Sequence, residues 1–169
     1  GAARAQRSGR FVYPAAARYL GELALCEGRV GDAAEYFEKA LTVDSSFSFA
    51  WLGLAELATQ QGNYEAAREA YGTARALYRE SGRQHDEANV LEGLGELERL
   101  TSRPDEARAA YEQAAALYQG VGDRLGEANV LRGVGDIDLN RHDFPSAMTF
   151  YGQALARYRE LGQPTGQAH

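Results

Sequence analysis

The chain has 169 residues, of which 44% are hydrophobic and 25% are charged, and its formal net charge is -6. These values are ordinary for one soluble globular domain, and the acidic balance argues against non-specific binding to nucleic acid or anionic membranes. No run of about 20 apolar residues and no basic-then-apolar leader is present. We therefore expect a cytoplasmic protein that makes no membrane contact.

The N-terminal stretch GAARAQRSGR has no apolar periodicity, so we expect residues 1–13 to be a flexible leader. The single cysteine, Cys26, cannot form an internal disulfide and has no second cysteine with which to share a metal. We expect it to act as a small buried hydrophobe.

From residue 14 onward the same pattern recurs. The phrase DEANVLEGLGE at Asp86–Glu96 returns as GEANVLRGVGD at Gly126–Asp136, a step of 40 residues. A step of about 34 relates the first two copies. The spacing predicts units at about 14–47, 48–87, 88–127 and 128–161, with 162–169 as the start of a truncated fifth unit.

Within each unit the apolar spacing is helical. In the second copy one stripe precedes a polar break at residues 61–63 and another follows it, so each unit is predicted to contain two helices. Asn63 and Asp143 are suitable N-caps, and Pro104 suits a first helical turn. The stripes consist of Trp51, Leu54, Ala55 and Ala58, and then of Ala67, Tyr71, Ala74 and Tyr78.

Small and large residues alternate in register between the two helices of a unit. Gly or Ala recurs on both helices and lets the backbones approach, and a large ring fills the space beside each small residue. We interpret these rings as repeat packing rather than as a cofactor site. They are Phe37, Tyr71, Tyr111 and Tyr151.

These positions resemble the tetratricopeptide repeat, and WLGLAELATQQGNYEAAREAYGTA at Trp51–Ala74 is similar to its consensus. The resemblance implies an all-α fold, a right-handed superhelical solenoid of antiparallel helix pairs with about four units. The 40-residue copies are similar to those of kinesin light chains and of many bacterial signalling proteins, which bind peptides or protein segments in the groove of the superhelix.

In this family the first helices line the groove, so the resemblance implies a set of candidate peptide-binding residues. One register carries an acid in every unit and predicts a negative ladder, unless neighbouring arginines such as Arg18 neutralise it into a row of solvated salt bridges. The candidates are Glu22, Phe49, Glu56, Asn89, Glu92, Glu96, Asn129, Arg132 and Asp136.

Two of these registers have both a structural and a functional explanation. Mid-helix glycines recur at Gly53, Gly93 and Gly133, and they serve either close helix packing or the approach of a ligand backbone. Asn89 and Asn129 either clamp a peptide amide or cap and bridge neighbouring units.

Catalytic chemistry finds no support in the sequence, and we predict no enzyme activity, cofactor or metal. The histidines His85, His142 and His169 are expected to be solvated loop residues without metal-ligand or triad spacing. The G-x-G sequences lie inside predicted first helices and not after a strand, so a dinucleotide loop is excluded.

We therefore expect a protein-interaction scaffold that binds a protein or peptide segment, with basic segments favoured, and that is a fragment of a larger protein. One alternative is a self-assembling repeat module with weak self-association through the C-terminal helix. Another is the regulatory sensor half of a larger bacterial signalling protein.

Overall fold

The computed structural model describes residues 16–162, so the predicted leader at 1–13 and residues 163–169 of the predicted fifth unit lie outside the described residues. The chain divides into two compact units, Gly1–Ser81 and Gly82–His169. The described part of the first unit forms four helices, and so does that of the second. They are α1 at 16–26, α2 at Val30–Val43, α3 at Ser48–Gln60, α4 at Tyr64–Glu80, α5 at Gln84–Leu100, α6 at Pro104–Val121, α7 at Arg124–Asn140 and α8 at Phe144–Gly162.

The predicted break inside the second copy is confirmed, since α3 ends at Gln60 and α4 begins at Tyr64. The turn needs a left-handed backbone at Gly62, which has φ of 74°. At the same point of the later units Ser102 and His142 adopt φ of 59° and 60°, although side chains disfavour that conformation.

The predicted helix starts are only partly confirmed. Pro104 occupies the first turn of α6. Asp143 accepts a hydrogen bond from the backbone N–H of Ser146. Asn63 precedes α4 as predicted, but its side chain makes no capping hydrogen bond.

Paired helices run antiparallel. Tyr111 of α6 reaches Glu96 of α5, whereas Tyr118, further along α6, reaches Asn89, nearer the start of α5. Residue numbers therefore increase along one helix in the direction in which they decrease along the other. The predicted helix pairs are confirmed.

The large rings fill the space between successive helices, as the sequence predicts. Tyr111 is 2% exposed and lies against the backbone of Gly95 on α5 and Gly133 on α7. In the first unit Phe37 of α2 lies in the same way between Gly21 of α1 and Gly53 of α3.

These contacts favour the packing explanation for two of the mid-helix glycines. A Cβ atom added at Gly53 would lie 2.5 Å from Cε2 of Phe37, and one added at Gly133 would lie 2.6 Å from Cζ of Tyr111. A methyl group does not fit at either position without displacing the ring.

The prediction that Cys26 is buried is wrong. Cys26 is exposed, because it is the last residue of α1 and the chain turns away directly after it. Among residues 16–162, no helix combines the length and the apolar character that crossing a bilayer requires.

Candidate protein-binding face

Polar side chains of α5 and α7 are held by tyrosine hydroxyls of the helices that follow them in the chain. The hydroxyl of Tyr118 lies 2.7 Å from Oδ1 of Asn89 and 2.7 Å from Oε2 of Glu92, so these two acceptors share its one proton. Tyr158, 40 residues later, donates to Oδ1 of Asn129 at 2.7 Å. The repeat thus places each carboxamide beside a tyrosine hydroxyl. We call this surface the first-helix face; in the second unit it consists of Asn89, Glu92, Glu96, Asn129, Arg132 and Asp136.

The acids of the ladder register form a second periodic set of hydrogen bonds. Tyr111 donates to Glu96 at 3.3 Å, and Tyr151 donates to Asp136 at 2.6 Å. Burial raises the pKa of Tyr111, and burial together with the Asp136 contact raises the pKa of Tyr151 to about 12. Both hydroxyls therefore keep their protons and act as donors at neutral pH.

Arginines on the same helices pair with these two acids. Glu96 receives two hydrogen bonds from the guanidinium of Arg99, at 2.8 and 2.5 Å, and Asp136 lies 3.3 Å from Nη1 of Arg132. The hydrogen bonds to Glu96 raise the pKa of Arg99. Each acid of this register in the second unit is thus accompanied by a cation, which weakens the negative potential that the ladder alone would create.

Glu92 differs from the other acids of this face because none of the described residues forms an ion pair with it. Its Oε2 lies 2.7 Å from the hydroxyl of Tyr118. Burial raises the pKa of Glu92, against the opposing effects of the Tyr118 hydrogen bond and the positive charge of Arg132. Glu92 is consequently the acid of this face with the most to gain from an added cation.

Asn129 of α7 accepts a hydrogen bond from Tyr158 of α8, so its side chain ties together the two helices of one pair. Asn89 is less constrained, since its Nδ2 has only a long contact of 3.5 Å to Nδ1 of His85.

His85 and Asp123 are polar residues of this region that sequence reasoning missed. His85 was expected in a loop, but it lies in the first turn of α5, with Nε2 2.9 Å from Oδ2 of Asp123. Asp123 also caps α7 by accepting from the backbone N–H groups of Leu125 and Gly126. Hydrogen bonds from Gly126 and His85 outweigh burial and lower the pKa of Asp123. A carboxylate directly before a predicted helix is the sequence signal that could have revealed this cap.

The first unit places its candidate residues on α1 and α3. Glu22 lies 3.5 Å from Nε of Arg18, and that guanidinium lies 4.3 Å from the centre of the Phe49 ring. Phe49 also packs edge-on against Phe37. Glu56 is exposed and has no ion-pair partner among the described residues.

No group of three or more His, Cys, Asp and Glu side chains within residues 16–162 is arranged to hold a metal ion. The polar residues of the first-helix face instead offer amide, carboxylate and guanidinium groups.

Comparisons with known proteins agree with this fold. The chain is 36% identical over 59 residues to anaphase-promoting complex subunit cut9 of Schizosaccharomyces pombe, a match that covers 35% of this chain and 9% of that protein. The chain thus spans about a tenth of the length of that relative.

Solved structures with a similar fold include BtubC and MamA. BtubC (BKLC) from P. vanneervenii superposes with a TM-score of 0.79 and 20% identity, over 92% of this chain and 68% of that one. MamA superposes with a TM-score of 0.71 and 19% identity, over 88% of this chain and 80% of that one.

The sequence also matches the tetratricopeptide repeat family over residues 46–120 and again over 87–160, which together are more than half of the chain. Members of this family generally bind protein partners and are generally not enzymes. The chain therefore belongs to the tetratricopeptide repeat family, whose members are built from all-α helical repeats.

Proposed function

We propose that the first-helix face binds an extended segment of a partner protein. The observation that carries this proposal is the repeated contact between a tyrosine hydroxyl and an asparagine carboxamide, at 2.7 Å in both copies. Side chains held in one rotamer before binding lose little conformational entropy when a ligand arrives. Asn89 then offers an N–H group to a backbone carbonyl of the segment.

A basic side chain of the segment would lie against Glu92 in this proposal. That carboxylate has no ion pair within the described residues, whereas Glu96 and Asp136 each have an arginine. The preference for basic segments therefore depends on Glu92, and in the first unit on Glu56, rather than on a continuous acidic stripe.

The test compares asparagines of this face with glutamines of the second helices. The double variant Asn89→Ala with Asn129→Ala should bind a segment selected from a random peptide library at least about tenfold more weakly than the unaltered chain. The matched control is Gln113→Ala with Gln153→Ala, also an amide pair 40 residues apart. Thermal melts of both variants identify any loss of folding.

Charge is tested separately with Glu92→Gln. We expect this variant to weaken binding of basic segments and to reduce the dependence of affinity on salt. The proposal is contradicted if the Asn89/Asn129 variant and the Gln113/Gln153 variant bind equally well, or if the affinity for basic segments does not change with salt concentration.

A second candidate function, self-association, is favoured by one face of α8. Phe144, Met148 and Leu155 follow one another at helical spacing and are 55%, 74% and 48% exposed. An apolar stripe of this kind can pack against a second copy of itself.

Sedimentation across about a hundredfold range of concentration tests this candidate. The unaltered chain should grow in mean mass with concentration, and Met148→Glu with Leu155→Glu should stay monomeric. Val43→Glu with Leu100→Glu changes exposed apolar residues outside α8 and serves as the control. If the unaltered chain is a monomer at every concentration, the self-association hypothesis is wrong.

A further inference from the structure

Equivalent junctions in the two units are filled differently. Where α6, α7 and α8 meet, the guanidinium of Arg108 pairs with Asp138 and lies 5.9 Å from the centre of the Phe150 ring. The side chain of Asp138 is 6% exposed, so this cation lies in a largely buried place. The second unit thus uses an arginine of its own to fill the junction.

The first unit has alanine at all three of these positions. By the repeat register, Ala34 of α2 corresponds to Arg108, Ala58 of α3 to Asp138, and Ala70 of α4 to Phe150. These alanines line a pocket of about 300 Å³ between α2, α3 and α4. We call it the Trp51 pocket.

The lining of the Trp51 pocket has an apolar and an acidic part. Trp51, Leu54 and Leu57 belong to the apolar part, and the indole is held in place because its N–H donates to the backbone carbonyl of Ser45 at 2.9 Å. Glu38 and Glu69 form the acidic part and are exposed. Neither carboxylate forms an ion pair or a side-chain hydrogen bond with another described residue, although Lys39 next to Glu38 pairs with Glu35.

We propose that the Trp51 pocket binds an arginine side chain of a partner protein. The methylene stem would cover Leu54 and Leu57, the guanidinium would lie over the indole, and the two carboxylates would accept its N–H groups. Arginine suits such a place better than lysine does, because its planar cation stacks on rings and spans two acceptors. The ligand would fill the space that Arg108 fills in the second unit, with Trp51 and the two glutamates in place of Phe150 and Asp138.

This site is separate from the first-helix face. None of the residues that line the Trp51 pocket belongs to the set proposed above for the extended segment. The inference therefore does not depend on the proposed function, and the two can fail independently.

The experiment uses the fluorescence of Trp51, the single tryptophan of the chain. The probe is N-acetyl-arginine N-methylamide, and the comparison is the citrulline analogue, which has nearly the same shape and no charge. We expect a saturable change of emission with the arginine probe and at least about tenfold weaker binding of the citrulline probe.

Two variants locate the probe. Glu38→Gln with Glu69→Gln should reduce affinity for the arginine probe to the level of citrulline, while Glu80→Gln, which changes a glutamate of α4 outside the pocket, should leave it unchanged. Ala34→Arg with Ala58→Asp should rebuild the internal pair of the second unit and abolish probe binding.

The proposal is overturned if the arginine probe gives no saturable signal, if citrulline binds equally well, or if the filled variant binds as before. If Ala34→Arg with Ala58→Asp, the variant that fills the pocket, fails to fold, the glutamine variants still test the proposal. Asn89→Ala with Asn129→Ala must leave probe binding intact, so a loss there would also contradict a separate pocket.

Discussion

The ring of Tyr111 occupies the space that a side chain at Gly133 would need, since an added Cβ would lie 2.6 Å from its Cζ. The same ring contacts Gly95 on the other side. A tyrosine between two glycines from successive first helices fixes how closely α5, α6 and α7 pack. This contact explains Gly133 by helix packing, and mutation can test that explanation.

Gly133→Ala should destabilise the fold by about 1 to 3 kcal/mol, because the methyl group forces the ring of Tyr111 aside. Gly152→Ala is the control, since a Cβ there meets nothing within 4 Å. Alanine favours helix over glycine, so the control should be neutral or gain up to about 1 kcal/mol. Denaturant melts measure both, and equal effects would contradict the packing explanation.

Tyr111→Ala should lower the free energy of unfolding by about 3 to 5 kcal/mol, because it leaves a cavity between three helices. Tyr19→Ala provides the matched change at a residue that is 71% exposed and should cost no more than about 0.5 kcal/mol. A loss below about 1 kcal/mol at Tyr111 would show that its ring is not a packing element.

Glu92→Gln should raise the melting temperature near neutral pH, by up to about 2 to 4 °C. Burial raises the pKa of Glu92 above the ordinary value of 4.5, so the folded chain holds this proton more tightly than the unfolded chain. Ionisation of Glu92 therefore lowers stability as pH rises through the interval above 4.5. Glutamine removes the charge and keeps an acceptor for Tyr118.

The gain from Glu92→Gln should vanish below about pH 4, where the carboxyl is protonated in both states. Scanning calorimetry at the two pH values gives the comparison, with Glu80→Gln on exposed surface as the control. A variant that is less stable than the unaltered chain at neutral pH would show that the charge of Glu92 stabilises the fold.

Arg108→Ala should destabilise the protein by on the order of 3 kcal/mol, because it leaves Asp138 buried without its cation. One oxygen of Asp138 already has no hydrogen-bond partner within the described chain. Arg108→Ala with Asp138→Ala copies the alanines of the first unit and removes the stranded charge. We expect chemical denaturation to show a smaller loss of unfolding free energy for the double variant than for Arg108→Ala alone. If the losses of the two single variants simply add up in the double variant, the two side chains do not interact.

The sequence by itself determined the helices and their pairing. Apolar residues at helical spacing, a polar break at residues 61–63 and a small residue opposite each large ring leave few other ways to bury that surface. The same register also predicted that Phe37 and Tyr111 would be buried, because a residue repeated at one position of every unit meets the same neighbours each time. Local spacing was sufficient to predict a buried contact wherever the repeat had already set the order of the two helices.

Only the tertiary structure decided how the polar groups are partnered. The bond from Tyr118 to Asn89 joins residues 29 apart on antiparallel helices, and the choice of Arg99 for Glu96 depends on rotamers that no period records. The Trp51 pocket arises because Ala34, Ala58 and Ala70 converge from three helices. Hydrogen bonds and cavities depend on distances of a few tenths of an ångström between side chains distant in sequence, whereas apolar periodicity fixes only the face on which each side chain lies.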